Sequence, residues 1–310
     1  MKKSQIKNCI FLFLAATIWG VAFVAQSIAA DFIKPFTFNA VRCLIGGCVL
    51  IPVVFFFSKK DNQGSANSSE HNQKLFHKDS IIGGIVCGIC LFAGATLQQF
   101  GIELSTAGKA GFITAFYIVL VPVTGIFLHK KVRPIVWFCV LLALTGLYLL
   151  CIKEGFSIGV GDLYLFLCAL AFTAHILFID HFVQKVNGVI LSMEQFFVCG
   201  ILCSIFMFLM EKPDLHQIYL ARVPILYAGV MSCGIAYTFQ ILGQRNMNTT
   251  IASLILSLES VVSALAGWLI LRESLTAKEL IGCGLMFVAI ALTCVPEKKM
   301  PPPFVLLMNR

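Results

Sequence analysis

Charge is what this sequence has least of. Asp, Glu, Lys and Arg together make up 12% of the 310 residues, about half of what a soluble domain carries, which excludes an ordinary water-soluble fold. Catalytic signatures are missing too. No glycine-rich phosphate loop and no zinc-ligand spacing occurs, so ATP-driven and metallo-enzyme readings have no residues to stand on and no cofactor is implied. Cys87 and Cys90 form a CxxC, but neither a second pair nor a histidine stands nearby to complete a metal site.

Apolar residues fill the chain instead, at 59% with a mean hydropathy of +0.91. Ten runs of apolar residues occupy about 9–29, 35–57, 80–101, 110–128, 134–152, 160–179, 188–210, 221–243, 249–271 and 277–295. Each is long enough to cross a ~30 Å hydrocarbon core as a helix. A span must satisfy its own backbone groups, so the expected fold is an all-α integral membrane protein with ten transmembrane helices. Its permanent partner is the lipid bilayer. The first run follows Lys2, Lys3 and Lys7 like a secretory signal, but its core is long and no small-residue cleavage site follows. A retained signal-anchor is expected.

The net charge of +8 invites a nucleic-acid reading, and its distribution decides against one. Lys and Arg in short loops orient a membrane protein. With a cytoplasmic N-terminus, fifteen basic residues fall on that side, Lys59, Lys60, Lys130 and Lys131 among them, against seven on the other. Both termini are expected in the cytoplasm, with the chain in the cytoplasmic membrane. Most of the 13 cysteines lie within spans, where they act as small packing residues rather than a disulfide framework.

Residues 58–79 are polar and low in complexity and read as a flexible cytoplasmic loop. Its Asn67-Ser68-Ser69 string would not meet the glycosylation machinery there. Residues 297–310, with Pro301 to Pro303, read as an extended tail. Sliding residues 98–128 by 142 positions puts Gln98 on Gln240, Gly101 on Gly243, Ala110 on Ala252, Val119 on Val261 and Gly125 on Gly267. That likeness, with matching loop order, points to an internal duplication: residues 1–155 and 156–296, five spans each. An odd number of spans inserts the second repeat from the opposite side. Two inverted five-helix repeats are the architecture of alternating-access transporters, whose ligand site lies between repeats near the midplane.

Polar side chains at membrane depth are therefore the functional evidence. Glu259 lies about ten residues into the ninth span, where a carboxylate costs roughly 2.5–3.5 kcal/mol. It could carry a coupling proton, hold a substrate ammonium or pair with Arg42. Arg42, in the second span one turn after Asn39, could grip a substrate carboxylate through its planar fork, snorkel, or pair with an acid. Cys233, Tyr237, Gln240 and Gln244 form a polar and aromatic stripe on the eighth span. Gln98, the repeat-mate of Gln240, ends the third beside Gln99. Glu194, Gln195 and His175 are candidates for a vestibule, and Trp19 and Tyr117 for cavity walls. Pro122 is expected to kink the fourth span.

Gly159-Val160-Gly161-Asp162 spells the GxGD string of intramembrane aspartyl proteases. That chemistry needs a second intramembrane aspartate to share a proton, and the remaining aspartates fall in loops or at span ends. Asp162 itself suits the positive end of a helix. No catalytic residue and no metal ligand is assigned. A channel or a membrane enzyme without a recognisable motif stays the alternative class.

The opening ATIWGVAFVAQ, with Trp19-Gly20, and the run LESVVSALAGWLILRESLTAKELIGCGLMF, with Glu259, Gly267, Glu273 and Gly282, resemble the EamA-type branch of the drug/metabolite transporter superfamily. The resemblance covers nearly the whole chain. Arg42 resembles the family's second-span arginine and Gln195 its counterpart in the second repeat. His129-Lys130-Lys131 stands where the first repeat often carries an acid. The resemblance implies a secondary transporter, not an enzyme. It would move a small metabolite or amino-acid-like compound by alternating access, as an exporter coupled to protons. The expected cavity residues are Glu259, Arg42, Gln98, Gln240, Tyr237, Trp19, Tyr117, Gln195 and His175. The sequence leaves substrate identity, transport direction, coupling ion and oligomeric state open.

Overall fold

The computed structural model describes residues 3–62, 78–104, 107–128, 134–151, 159–270, 272 and 276–294. The middle of the 58–79 loop with Asn67, the His129–Lys130–Lys131 corner, Glu273 and the tail lie outside the described residues. The ends of that loop, 58–62 and 78–79, are helical.

Among the described residues there is no strand. Helix α1 (Lys3–Ala30) turns into α2 (Pro35–Asn62), and α3 (Lys78–Glu103) follows. Then come α4 (Ala107–Thr114), α5 (Tyr117–Phe127), α6 (Pro134–Cys151), α7 (Val160–Phe182) and α8 (Gly188–Met210). Two short helices, α9 (Leu215–Leu220) and α10 (Arg222–Leu226), lead into a π-helical stretch, Tyr227–Ala236, continued by α11 (Tyr237–Gln244). The chain closes with α12 (Thr249–Leu256), α13 (Leu258–Ile270) and α14 (Ala277–Cys294).

Among the described residues, eight stretches are long and apolar enough to cross a membrane, and Pro134–Leu149 is a shorter apolar helix. Their outward faces carry Phe55, Phe127, Phe208 and Leu209, each at least 70% exposed, a surface suited to lipid and not to water. Amides and charges turn inward: Asn39, Gln99, Gln195, Arg42 and Glu259 are all buried. This polarity makes the chain a multi-pass membrane protein.

Small residues set how closely the helices approach, since lipid gives apolar helices no hydrophobic reason to associate. Helix α3 runs antiparallel to α7, with Gly83 against Phe182, Gly94 against Phe172 and Gly101 against Leu165. Helix α1 runs antiparallel to the 222–244 stretch: Asn8 Nδ2 donates to the Arg245 carbonyl at 2.6 Å, and Tyr227 Oη to that of Ile18 at 3.1 Å. Helices α2 and α8 also lie antiparallel. Glu211, just past α8, accepts the Phe36 and Thr37 backbone N–H groups at 2.9 and 2.8 Å and the Thr37 hydroxyl at 2.6 Å. Farther along, Cys43 Sγ meets Cys199 Sγ at 3.5 Å.

Three features depart from continuous spans. The fourth run breaks at Ala115–Phe116, between α4 and α5, not at Pro122, which lies buried inside α5. The ninth breaks at Ser257, and the eighth widens into the π-helical stretch.

Candidate functional site

The two helix breaks build the site. In the ninth run the cause is local: Ser253 and Ser257 turn their hydroxyls back onto the Thr250 and Leu254 carbonyls at 2.9 and 2.7 Å. Such bonds compete with the helical ladder and bend it. Helix α13 therefore starts at Leu258, in the interior, and Glu259 stands in its first turn. The positive end of a helix favours a carboxylate in its first turn. Sequence alone puts Glu259 in the middle of a helix; the structure puts it at the head of one.

The fourth run breaks in the same place. Phe116 N–H reaches only to the Ile113 carbonyl, and Ile118 N–H to that of Ala115, both tight three-residue turns. Tyr117 is then the first residue of α5. Its hydroxyl donates to Glu259 Oε1 at 3.0 Å. Tyr117 and Glu259 stand 142 residues apart, the shift that aligns Gln98 with Gln240. Gly20 brings α1 onto this junction: a methyl group there would overlap Val262 and come within 2.8 Å of the Glu259 carbonyl oxygen.

Around the pair lies a cavity. Eight of the nine expected residues line it: Glu259, Arg42, Gln98, Gln240, Tyr237, Trp19, Tyr117 and His175. The ninth, Gln195, stands behind the wall, its Oε1 3.0 Å from His175 Nε2. Arg42 is 4% exposed, with its guanidinium 4.9 Å from the centre of the Phe38 ring and its Nε without a hydrogen-bond partner. No ion pair within 4.0 Å joins Arg42 to Glu259 among the described residues. The two charges share one cavity without neutralising each other.

Tyr237 is the hub of the aromatic wall. Trp19 meets it edge-on at 4.6 Å, Phe196 at 5.3 Å and His175 at 6.0 Å. The remaining lining residues include Gln26 and Ser232, which sequence reasoning missed. Gln26 had a legible signal: Trp19, Ala22, Phe23 and Gln26 follow helical spacing along one face of α1. Ser232 had none, because the π-helical stretch shifts the register so that Ser232, not Cys233, shares the face of Tyr237. Gln244 also falls outside the lining.

The other polar candidates are structural. Asn39 Nδ2 donates to the Ala95 carbonyl at 3.1 Å, and Gln99 Nε2 to that of Gln26 at 3.4 Å. Glu194 accepts the Ser80 hydroxyl at 2.8 Å. Asp162 caps α7 by accepting Gly159 N–H at 2.7 Å. No group of three His, Cys, Asp or Glu suited to a metal occurs among the described residues. The arrangement offers a carboxylate, a guanidinium and several amides to a polar ligand in a space walled by aromatic rings.

Comparison with known proteins agrees with this geometry. The EamA-like transporter family matches the chain twice, over residues 6–152 and 159–295. An uncharacterized transporter of Archaeoglobus fulgidus is 32% identical over 285 residues, covering 91% of this chain and 83% of its own. The uncharacterized transporter YoaV of Bacillus subtilis is 23% identical, covering 90% and 93%. A solved structure described as "Crystal structure of protein" shares the fold at a TM-score of 0.75 and 19% identity, over 98% of each chain.

Proposed function

Since the chain belongs to the EamA-like transporter family of the drug/metabolite transporter superfamily, and is thereby a membrane transporter, we propose that it is a secondary active transporter. It moves a small metabolite or amino-acid-like compound across the cytoplasmic membrane by alternating access, as an exporter coupled to protons. The observation that carries this reading is the meeting of two broken helices at one cavity, through Tyr117 and Glu259. Broken helices at membrane depth are how transporters aim helix ends and side chains at a ligand.

Ten crossings in two inverted five-span repeats, with both termini cytoplasmic, complete the proposal. Three things support it: the double family match, the antiparallel α2 and α8, and the breaks at corresponding positions of the fourth and ninth runs. Glu259 is the coupling residue, Arg42 anchors a ligand carboxylate, and Gln98, Gln240, Tyr237, Trp19, Tyr117, Gln195 and His175 complete the site. A single deep arginine disfavours phosphate esters, which recruit several basic groups.

The test is uptake of a metabolite panel into proteoliposomes, with and without a pH gradient, for wild type and Glu259→Gln. The proposal expects one compound whose uptake follows the gradient in wild type and loses that dependence in the variant. Gradient-driven uptake that Glu259→Gln leaves unchanged removes the coupling role. Loss of uptake confined to Arg42→Ala would leave substrate anchoring as the decisive role of the cavity.

A further inference from the structure

His175 is 0% exposed and yet lines the cavity. A histidine buried for packing alone normally bonds through both ring nitrogens, because a buried polar atom without a partner is costly. Here one nitrogen is spoken for and the other is not. Nε2 lies 3.0 Å from Gln195 Oε1, an oxygen that can only accept, whereas Nδ1 has no hydrogen-bond partner. The ring is held in place by edge contacts with Phe172 and Tyr237, at 6.3 and 6.0 Å between centres. Gln195 is itself 0% exposed and does not reach the cavity. Its amide nitrogen is also without a partner, so the bond to the imidazole is the one its side chain makes.

The position of Gln195 adds an independent observation. It is the eighth residue of α8, as Arg42 is the eighth of α2, and these two helices pack antiparallel. Arg42 reaches the cavity directly; Gln195 reaches it through His175.

We propose that Gln195 is a positioning residue that fixes His175 as the Nε2–H tautomer, leaving Nδ1 as a lone-pair acceptor for a ligand in the cavity that His175 lines. A second ring nitrogen is committed by whatever the first one bonds. The site then takes ligands that bring an N–H or O–H group to that point, amines or alcohols, and rejects analogues in which those hydrogens are replaced by methyl groups. This rests on the transport reading only in assuming that a ligand enters the cavity; the tautomer does not depend on it.

The experiment is ¹⁵N magnetic resonance on the full chain in lipid nanodiscs with labelled histidine, the His175 signals being assigned by their loss in His175→Asn. Wild type is expected to show the neutral Nε2–H form, and Gln195→Met a mixture of both tautomers. An Nδ1–H form in wild type overturns the proposal, even if the Gln195 variant fails to fold; so does an unchanged spectrum in Gln195→Met. The ligand half is read by competition, using the compound that passes the uptake panel and its methylated analogue. At least a tenfold preference for the parent compound is expected in wild type, falling towards parity in His175→Phe. Equal competition by the two compounds in wild type overturns that half. If wild type transports nothing in the panel, the transport reading and the ligand half fail together, and the tautomer measurement still decides the role of Gln195.

Discussion

Glu259 stands at membrane depth in the first turn of α13, where the Tyr117 hydroxyl donates to its carboxylate. Hydrogen bonds to a charged group contribute about 1.5–3 kcal/mol, so Tyr117 and Glu259 should be coupled by that much. A double-mutant cycle of Tyr117→Phe and Glu259→Leu, read by chemical denaturation in nanodiscs, measures it; additive effects would deny the bond an energetic role. Much of the site was legible at this scale, because a charge or amide inside an apolar run is too costly to be idle. Arg42, Gln98, Gln240 and Glu259 were found on that ground alone.

At the scale of elements, hydropathy located the runs but not their interruptions. Neither break contains a glycine or proline, the residues that ordinarily announce one. The serines of the ninth run, Ser253 and Ser257, look like a smooth packing stripe in sequence and act as helix benders in the fold. Pro122 drew attention to the right helix but not to the place where it breaks. The π-helical stretch is equally silent; it packs against α2, where Gly229 meets Ile45 and Cys233 meets Gly46. The shifted register is testable. A cysteine introduced by Ser232→Cys should react with a small water-soluble methanethiosulfonate, and native Cys233 should not, as read by mass spectrometry of the peptide that contains both. Labelling of Cys233 in preference to position 232 would restore ordinary α-helical register. Gly20 offers a second test, because no larger residue fits between α1 and α13. Overpacking of this kind costs about 1–3 kcal/mol. Gly20→Val should lower the unfolding midpoint and abolish uptake together, and a fully stable, active variant would show that α1 and α13 do not need this contact.

For the whole molecule the decisive relation is between α2 and α8. If the halves are copies, these are equivalent helices: each carries its cavity-directed residue at the eighth position, Arg42 in one and Gln195 in the other. Copies inserted in the same sense would carry α2 and α8 in parallel. Here the start of α2 is tied to the end of α8 through Glu211, so the helices run in opposite directions, as the proposed inversion requires. Inversion of a duplicated unit requires an odd number of crossings in each copy, hence an even total, with both chain ends on one face. On the proposed topology, the basic residues near both ends put that face in the cytoplasm. Reporters fused separately to the N- and C-termini should therefore both be active in the cytoplasm, and a cysteine at Lys212, beside the Glu211 contact, should be labelled only from outside. Termini on opposite faces would require an odd number of crossings. That result would leave the antiparallel packing of α2 and α8 as a contact between unrelated helices, and the paired breaks at Tyr117 and Glu259 without a common origin.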